Sequence, residues 1–320
     1  MAREVSVIIS TQNRWPLMAR TSLRSALVQE DVDLEVVVVD DGSTEEAPGG
    51  LSGLEDARVR LVRHAEPRGI AAARNTGVRE AEGEWIAFLD DDDLWSPHKL
   101  RTQIDAARTT GAGFVYVGAV WVDREQLHLV YGHAPPRADG LARELLRWNV
   151  LWGGASNVLA ASDLVHALGG FDEELFQLAD WDLWIRLALG SKAAVVDDVL
   201  VALLVHRESM LLVDRRDVFA EFDYLRAKHR EAAEREGVEP DAARFARWAA
   251  AGHLRAGRRS TAARTYVRGT RAPANVVRAA AAFLGPSATR ALSARRAYVP
   301  GALRPGERVA REPEWLELYR

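Results

Sequence analysis

Four short, almost entirely apolar runs in the first hundred residues constrain the fold of this 320-residue chain more than any other feature. They read VSVII, EVVVV, VRLV and WIAFL, and they begin at residues 5, 35, 59 and 85. Runs of this length without polar alternation are typical of strands that are covered on both faces. Apolar residues at helical spacing follow the first, third and fourth runs. The pattern predicts an α/β fold with a mostly parallel sheet between helices.

The pattern changes after Gly113. Residues 114–122 predict a long strand, residues 127–131 a partner for it, and residues 141–147 a short helix. From residue 210 onward the sequence is helical, with breaks at prolines. We therefore predict two domains, an α/β domain of residues 1–215 and a basic, all-helical C-terminal extension of residues 216–320.

The net charge of −4 is unevenly distributed. Residues 240–300 contain 12 arginines and a single acid, Asp241, so this segment carries +11 and the remainder −15. Such asymmetry favours an anionic partner, either a membrane surface or an anionic acceptor. Solvated helix faces or a protein-binding module explain the same charge, and no nucleic-acid partner is predicted.

The composition excludes several classes of site. Cysteine is absent, which rules out disulfides, zinc–cysteine clusters and a thiol nucleophile. We see no signal-peptide pattern and no apolar run that would span a bilayer. These features predict a cytoplasmic protein, with a peripheral contact to the inner face of the membrane as an open alternative. A dinucleotide-dependent oxidoreductase is not favoured, because no G-x-G-x-x-G follows the first strand.

Polar residues follow three of the predicted strands, at the carboxyl ends where open parallel sheets bind ligands. The first strand ends at Ser10, the second at the Asp-Asp-Gly-Ser sequence of residues 40–43, and the fourth at residues 90–93, which are all aspartates. Four adjacent carboxylates repel one another, and partial burial makes their ionisation costlier. A hard cation with oxygen ligands, Mn²⁺ or Mg²⁺, relieves that repulsion. Helix capping by Asp93 or Ser96 is the alternative, but a cap needs only one side chain.

Asp-Asp-Gly-Ser is also an ordinary turn sequence, and Ser43 with Glu46 fits a capping box. Placed at the end of a buried strand and opposite a second acidic cluster, Asp41 becomes a candidate for contacting a nucleotide base or ribose.

Six segments in this order resemble family 2 glycosyltransferases with the GT-A fold: VSVIISTQNR, VVVVDDGST, RGIAAARNTGV, EWIAFLDDDDLWSPHKL, GGFDEEL and ADWDLWIRLA. The resemblance covers about residues 4–208. It implies a Rossmann-like sheet sandwiched by helices and an inverting, metal-dependent transfer. The donor would be a UDP-, GDP- or dTDP-sugar, and the acceptor a hydroxyl of a glycan, a lipid-linked glycan or a small molecule.

The resemblance also implies roles for individual residues. The general base is Asp180, whose motif usually has Glu at the position that Ala179 occupies here. Asp92 is a metal ligand, and His206 completes the metal shell. The nucleotide-sugar contacts are Ser10, Asp41, Arg68, Asn75, Asp90 and Asp91. The acceptor-side residues are Trp152, Gly153, Gly154 and Trp181.

Each role has a structural alternative. Asp180 also suits a helix N-cap, His206 a structural histidine, and residues 152–154 a tight turn. Two other functions stay open. A nucleotidyltransferase that makes sugar nucleotides uses similar sheet-edge carboxylates, but residues 10–15 lack the glycine-rich basic loop expected for a triphosphate. A non-catalytic nucleotide-sugar-binding protein would tolerate Ala179, whereas the presence of Asp180 argues against it.

Overall fold

A computed structural model describes residues 3–205, 217–268, 270, 272–285, 288–289 and 311–320. Contacts divide them into two units. The first unit contains residues 3–145, 149–205 and 311–320, and the second contains residues 146–148 and the described residues between 217 and 289. The last ten residues belong to the first unit because Tyr319 donates to the carbonyl of Trp95 and the indole of Trp315 donates to the carbonyl of Val199.

A mixed sheet forms the centre of the first unit. Its described strands are β1 (Val5–Thr11), β2 (Leu34–Asp40), β3 (Val59–Arg63), β4 (Trp85–Asp90), β5 (Asp93–Trp95), β6 (Phe114–Asp123), β7 (Leu129–His133), β8 (Leu159–Ala161) and β9 (Ala193–Val205). The strand order is β3-β2-β1-β4-β8-β6-β9-β5, and β7 pairs with β6. The first four strands in this order are parallel, as is the β6–β9 pair, whereas β5, β7 and β8 pair antiparallel. The predicted α/β fold is confirmed.

Helices cover this sheet. Those before residue 206 are α1 (Trp15–Met18), α2 (Arg24–Leu27), α3 (Ile70–Glu80), α4 (Lys99–Thr110), α5 (Leu141–Arg147), α6 (Ser162–Ala167) and α7 (Ala179–Gly190). A π-helical turn, Ala19–Leu23, joins α1 to α2. A short 3₁₀ helix, Gly154–Asn157, precedes β8, and another spans Glu314–Tyr319.

The second unit is helical, as predicted for the C-terminal region. Its described helices are α8 (Val218–Lys228), α9 (Arg230–Arg235), α10 (Ala242–Arg255), α11 (Arg259–Val267) and α12 (Pro273–Leu284). The rings of Phe222 and Phe245 stack with centroids 4.0 Å apart between α8 and α10. Of the helices in the described ranges, none has the length and apolar character that crossing a membrane requires.

The core is built on β2, whose seven residues are all buried. Helix α3 lies against the sheet through small residues, and a Cβ at Gly77 would overlap Cγ2 of Ile8 in β1. Ile8 is only 1% exposed, so it has little room to move away. Gly77 therefore sets how closely α3 approaches the strands that carry the acidic edge.

We expect Gly77→Ala to destabilise the protein by about 1–3 kcal/mol, because overpacking against Ile8 outweighs the better helix propensity of alanine. The measurement is the free energy of unfolding in urea. Gly49→Ala is the matched control, since a Cβ there meets nothing within 4 Å. Equal stabilities of the Gly77→Ala variant and the wild type would contradict this view of α3 packing.

Candidate active site

The carboxyl ends of β1, β2 and β4 bring the polar residues predicted from the sequence to one edge of the sheet. In the register of the sheet, Ser10 of β1 lies opposite Val39 of β2 and Asp90 of β4. Asp41 follows β2 directly, and its backbone N–H donates to the carbonyl of Thr11. The parallel strands therefore place Ser10, Asp41 and Asp90 where ligands bind in this class of sheet.

Asp41 is buried, and its carboxylate organises the loop before α3. Its Oδ1 accepts a hydrogen bond from the backbone N–H of Arg68 at 2.8 Å, and its Oδ2 accepts one from the N–H of Gly69 at 2.8 Å. Nδ1 of His64 lies 2.8 Å from the same Oδ1 and must be the donor, because a carboxylate only accepts. These bonds fix the loop, while the contact of Asp41 with a nucleotide stays a prediction.

Arg68 and Asn75, also predicted to hold the nucleotide, differ in their availability. The side chain of Arg68 is 48% exposed, and its guanidinium lies 3.9 Å from the carboxylate of Glu173. Asn75 is buried, where its Nδ2 donates to the carbonyl of Phe171 and its Oδ1 accepts from the N–H of Phe171. Asn75 thus holds the loop around Phe171, and Arg68 is the better placed of the two to reach a ligand.

Arg14, which the sequence analysis missed, bridges two of the four consecutive aspartates. Its Nη1 donates to Oδ1 of Asp91 at 2.7 Å, and its Nη2 donates to Oδ2 of Asp92 at 2.8 Å. The hydroxyl of Thr11 donates to the other oxygen of Asp91 at 2.8 Å. The carboxylates of Asp91 and Asp92 therefore lie around a positive charge supplied by β1 and its following loop.

Burial is the main influence on the acidity of this cluster. Burial, followed by repulsion from Asp92, raises the pKa of Asp91 to about 7, whereas Arg14 opposes the shift. The carboxyl of Asp93 lies 2.5 Å from the hydroxyl of Ser156. Burial, followed by repulsion from Asp92, raises the pKa of Asp93 well above its usual range. Burial therefore favours the protonated form of Asp93.

The donor chemistry at this edge fits a divalent cation. Carboxylate oxygens are the ligands that Mn²⁺ and Mg²⁺ prefer, and such an ion would favour the charged form of Asp91, which burial and the charge of Asp92 disfavour. Within the described residues, no three His, Asp or Glu side chains are already grouped for a metal. His206, predicted to complete the metal shell, lies outside the described residues.

Asp90 and Asp180 converge on Gly154. A Cβ at Gly154 would lie 3.4 Å from Oδ2 of Asp90 and 3.8 Å from Oδ2 of Asp180. Arg74 is a buried counterion of Asp90, with its Nη2 2.5 Å from Oδ1 of that residue. Gly154 has φ of +55°, in the left-handed region that favours glycine. Glycine therefore leaves the space between the two carboxylates open.

Asp180 lies in the first turn of α7. The N-cap position belongs to Leu178, so the alternative of Asp180 as N-cap does not hold. Its Oδ1 accepts a hydrogen bond from the N–H of Trp181 at 2.7 Å. Burial raises the pKa of Asp180 to about 6, Arg74 opposes this shift, and Asp90 adds to it. A carboxylate that is ionised at neutral pH but close to its midpoint is suited to general-base chemistry.

The residues predicted on the acceptor side are in different environments. Gly153 and Gly154 both have positive φ, +102° and +55°. Trp152 is half-buried and stacks on His133 with ring centroids 4.6 Å apart. Trp181 is only 2% exposed and packs in the core, with its indole N–H bonded to a backbone carbonyl. Contact of these four predicted residues with an acceptor stays a prediction.

Sequence reasoning also missed Arg74, which directly precedes Asn75. The signal was present, because an arginine on the buried face of an alanine-rich helix needs a carboxylate partner. The local sequence does not predict which carboxylate is the partner, because Asp90 lies on a strand 16 residues later in the chain.

Comparison with known proteins shows which family this chain is similar to. The model of the family described as "Glycosyl transferase family 2" matches residues 6–159. The succinoglycan biosynthesis protein ExoO of Rhizobium meliloti is 41% identical over 109 residues, which are 34% of this chain and 31% of that protein. The Escherichia coli UDP-Glc:alpha-D-GlcNAc-diphosphoundecaprenol beta-1,3-glucosyltransferase WfgD is 34% identical over 112 residues, or 35% of this chain and 44% of WfgD. The chain thus matches less than half of the length of either relative.

Among solved structures, S. aureus TarS in complex with UDP-GlcNAc superimposes with a TM-score of 0.60 at 18% sequence identity. The superposition covers 90% of this chain and 83% of that one. This likeness confirms the predicted GT-A-type fold.

Proposed function

We propose that this chain, whose residues 6–159 match the model of the family described as "Glycosyl transferase family 2", transfers a sugar from a nucleoside-diphosphate sugar to an acceptor hydroxyl. The observation that carries the proposal is the convergence of Asp90 and Asp180 on the open space at Gly154. Asp90 is the last residue of β4, and Asp180 has a pKa of about 6. This pair provides a base beside the position where a sugar bound along the edge would react.

The donor half of the proposed site uses the edge formed by β1, β2 and β4. Ser10 and Asp41 stand at the ends of the strands that would receive the nucleoside, and the half-exposed Arg68 can contact a phosphate. The buried Asp41 contributes through the loop that it holds, because that loop carries Arg68. The donor is a UDP-, GDP- or dTDP-sugar in this proposal.

Asp92, with Asp90 and Asp91 beside it, would hold Mn²⁺ or Mg²⁺. When bound, the ion would neutralise the charge that develops on the departing diphosphate. The support is the oxygen-only donor set and the raised pKa of Asp91, which burial and the neighbouring charge of Asp92 cause.

Asp180 is the proposed general base, which takes the proton from the acceptor hydroxyl as that oxygen attacks the anomeric carbon. Attack from the side opposite the diphosphate inverts the anomeric configuration. Ala179 removes the carboxylate that commonly precedes this aspartate. Arg74 lies close enough to lower the pKa of Asp180, so it keeps the base ionised at neutral pH despite burial.

The first test of this function is calorimetric titration of the full chain with UDP-, GDP- and dTDP-sugars in Mn²⁺, in Mg²⁺ and in EDTA. We expect one nucleotide class to bind and EDTA to weaken that binding, because an ion bridges the carboxylates and the diphosphate. Lack of binding by all three classes would refute the proposed function. Binding that EDTA leaves unchanged would refute the metal alone.

We expect Asp180→Asn to lower the rate of nucleoside-diphosphate release from the donor by about 10²–10⁴-fold, because the amide cannot accept the proton. Donor affinity should stay near that of the wild type. Asp163→Asn is the matched control, since Asp163 is exposed on α6. An Asp180→Asn enzyme as fast as the Asp163→Asn control would exclude Asp180 as the base.

The rate of the wild-type enzyme should fall as the pH decreases through about 6, because Asp180 then binds a proton and loses its function as a base. Arg74→Gln removes the charge that lowers this pKa, so the midpoint of the acidic limb should move to higher pH. Arg74→Lys should leave the midpoint closer to the wild-type value. Arg79→Gln, an exposed change on the same helix, controls for general effects. A midpoint that does not move in Arg74→Gln would contradict the proposed coupling.

The helical unit is proposed to contact an anionic membrane surface. Helix α12 exposes Val276, Val277, Phe283 and Leu284, with Phe283 77% and Leu284 78% exposed. Their spacing places them on one face of the helix. The surrounding sequence from residue 242 to 285 contains arginine but no acid. Apolar residues on a basic helical unit suit the interface of an anionic bilayer.

We expect the full chain to sediment with phosphatidylglycerol vesicles but not with phosphatidylcholine vesicles. Phe283→Ser combined with Leu284→Ser should reduce the bound fraction, because the inserted apolar area is lost. Leu318→Ser, an exposed change in the first unit, is the control. Equal sedimentation of the double variant and the control, or of the wild type with both lipids, would exclude this membrane contact.

A further inference from the structure

The paired strands β6 and β7 carry a group of aromatic rings on one face. Ala119 and Trp121 of β6 lie opposite His133 and Tyr131 of β7, so all four side chains share that face. The rings of Trp121 and Tyr131 stack with centroids 4.5 Å apart and an interplanar angle of 15°. Trp121 and Tyr131 are half-buried, so each retains contact with solvent.

The segment before the 3₁₀ helix connects this face to the two carboxylates. Trp152 stacks on His133 with an interplanar angle of 18°. A Cβ at Gly153 would lie 3.2 Å from Cβ of Ala119, so small residues at both positions allow the segment to lie close to β6. The next residue is Gly154, on which Asp90 and Asp180 converge. We call Trp121, Tyr131, His133 and Trp152 the aromatic face.

The strand order separates this face from the proposed nucleotide edge. β1 and β2 lie on one side of β4, and β6 with β7 lies on the other, so Asp90 at the end of β4 stands between the two halves. A ligand on the aromatic face would therefore approach Asp180 from the side away from the nucleotide. That is the side from which an attacking hydroxyl must come.

We propose that the aromatic face is the acceptor subsite and that its ligand is a saccharide, with one face of a pyranose ring packed against the solvent-exposed side of the stacked Trp121–Tyr131 pair. The inference rests on the proposed function. A pyranose presents several C–H bonds on one face, and these fit the negative π-face of an aromatic ring. The indole N–H at the edge of Trp121 can also bond a sugar hydroxyl. The proposed acceptor is therefore a glycan or glycoconjugate whose terminal sugar stacks beside Asp180.

The test measures binding of the full chain to methyl pyranosides of glucose, galactose, mannose and N-acetylglucosamine by saturation-transfer NMR, with the nucleotide sugar present. We expect at least one pyranoside to bind, and Tyr131→Leu to weaken that binding about ten-fold, because a stacked ring is lost. Tyr131→Phe keeps the ring and should bind within a few-fold of the wild type. Tyr224→Leu changes an exposed tyrosine of the second unit and should have no effect.

A measurement on the wild type alone guards against misfolding of the variant. When aromatic protons are irradiated, the ring protons on one face of the bound pyranoside should receive most of the saturation. Uniform saturation of both faces would overturn the proposal. So would a wild type that binds no pyranoside, or a Tyr131→Leu variant that binds one as tightly as the Tyr224→Leu control.

The two proposals fail in different ways. A wild type that binds its nucleotide sugar but no pyranoside refutes the aromatic subsite and leaves the donor site standing. A wild type that binds no nucleotide sugar refutes the proposed function.

Discussion

Repulsion between carboxylates at one edge of the sheet is the constraint on which the site depends. The aspartates at 90–93 run from the last residue of β4 to the first residue of β5, and Asp180 approaches from α7, where burial makes every charge costlier. The protein compensates in two ways. Arg14 and Arg74 supply positive charge from the loop after β1 and from α3, and burial favours the protonated form of Asp93. The loop after β1 and helix α3 must therefore be placed so that Arg14 and Arg74 reach these carboxylates.

The two arginines offset only part of the cost of burying the carboxylates at this edge, so a further cation would still stabilise them. Asp91 has a pKa of about 7 despite its ion pair, so the pair offsets only part of the cost of burial. An ion that brings two charges and accepts oxygen ligands lowers that cost further. The charge of Arg74 likewise opposes the raised pKa of Asp180, the proposed base.

Residues 152–154 connect the acidic edge of the sheet with the aromatic face. Trp152 stacks on β7, Gly153 lies against β6, and Gly154 leaves room between two carboxylates. Positive φ at both glycines allows the segment to make these contacts within three residues. The backbone torsions of Gly153 and Gly154 thus bring the aromatic face close to the carboxylates of Asp90 and Asp180.

The sequence by itself determined the strands of the first hundred residues and their acidic ends, because apolar periodicity and the residues that end a strand are local properties. The candidate base was implied by the resemblance to a known family. The sequence also predicted that Ser10, Asp41 and Asp90 stand at one edge of the sheet. Only the tertiary structure decided which cations meet which carboxylates. Arg14 and Asp91 are 77 residues apart in the chain, and no local pattern links them. Burial of Trp181 and the stacking of Trp121 on Tyr131 were likewise decided by strand order and helix packing, which depend on contacts between residues distant in sequence.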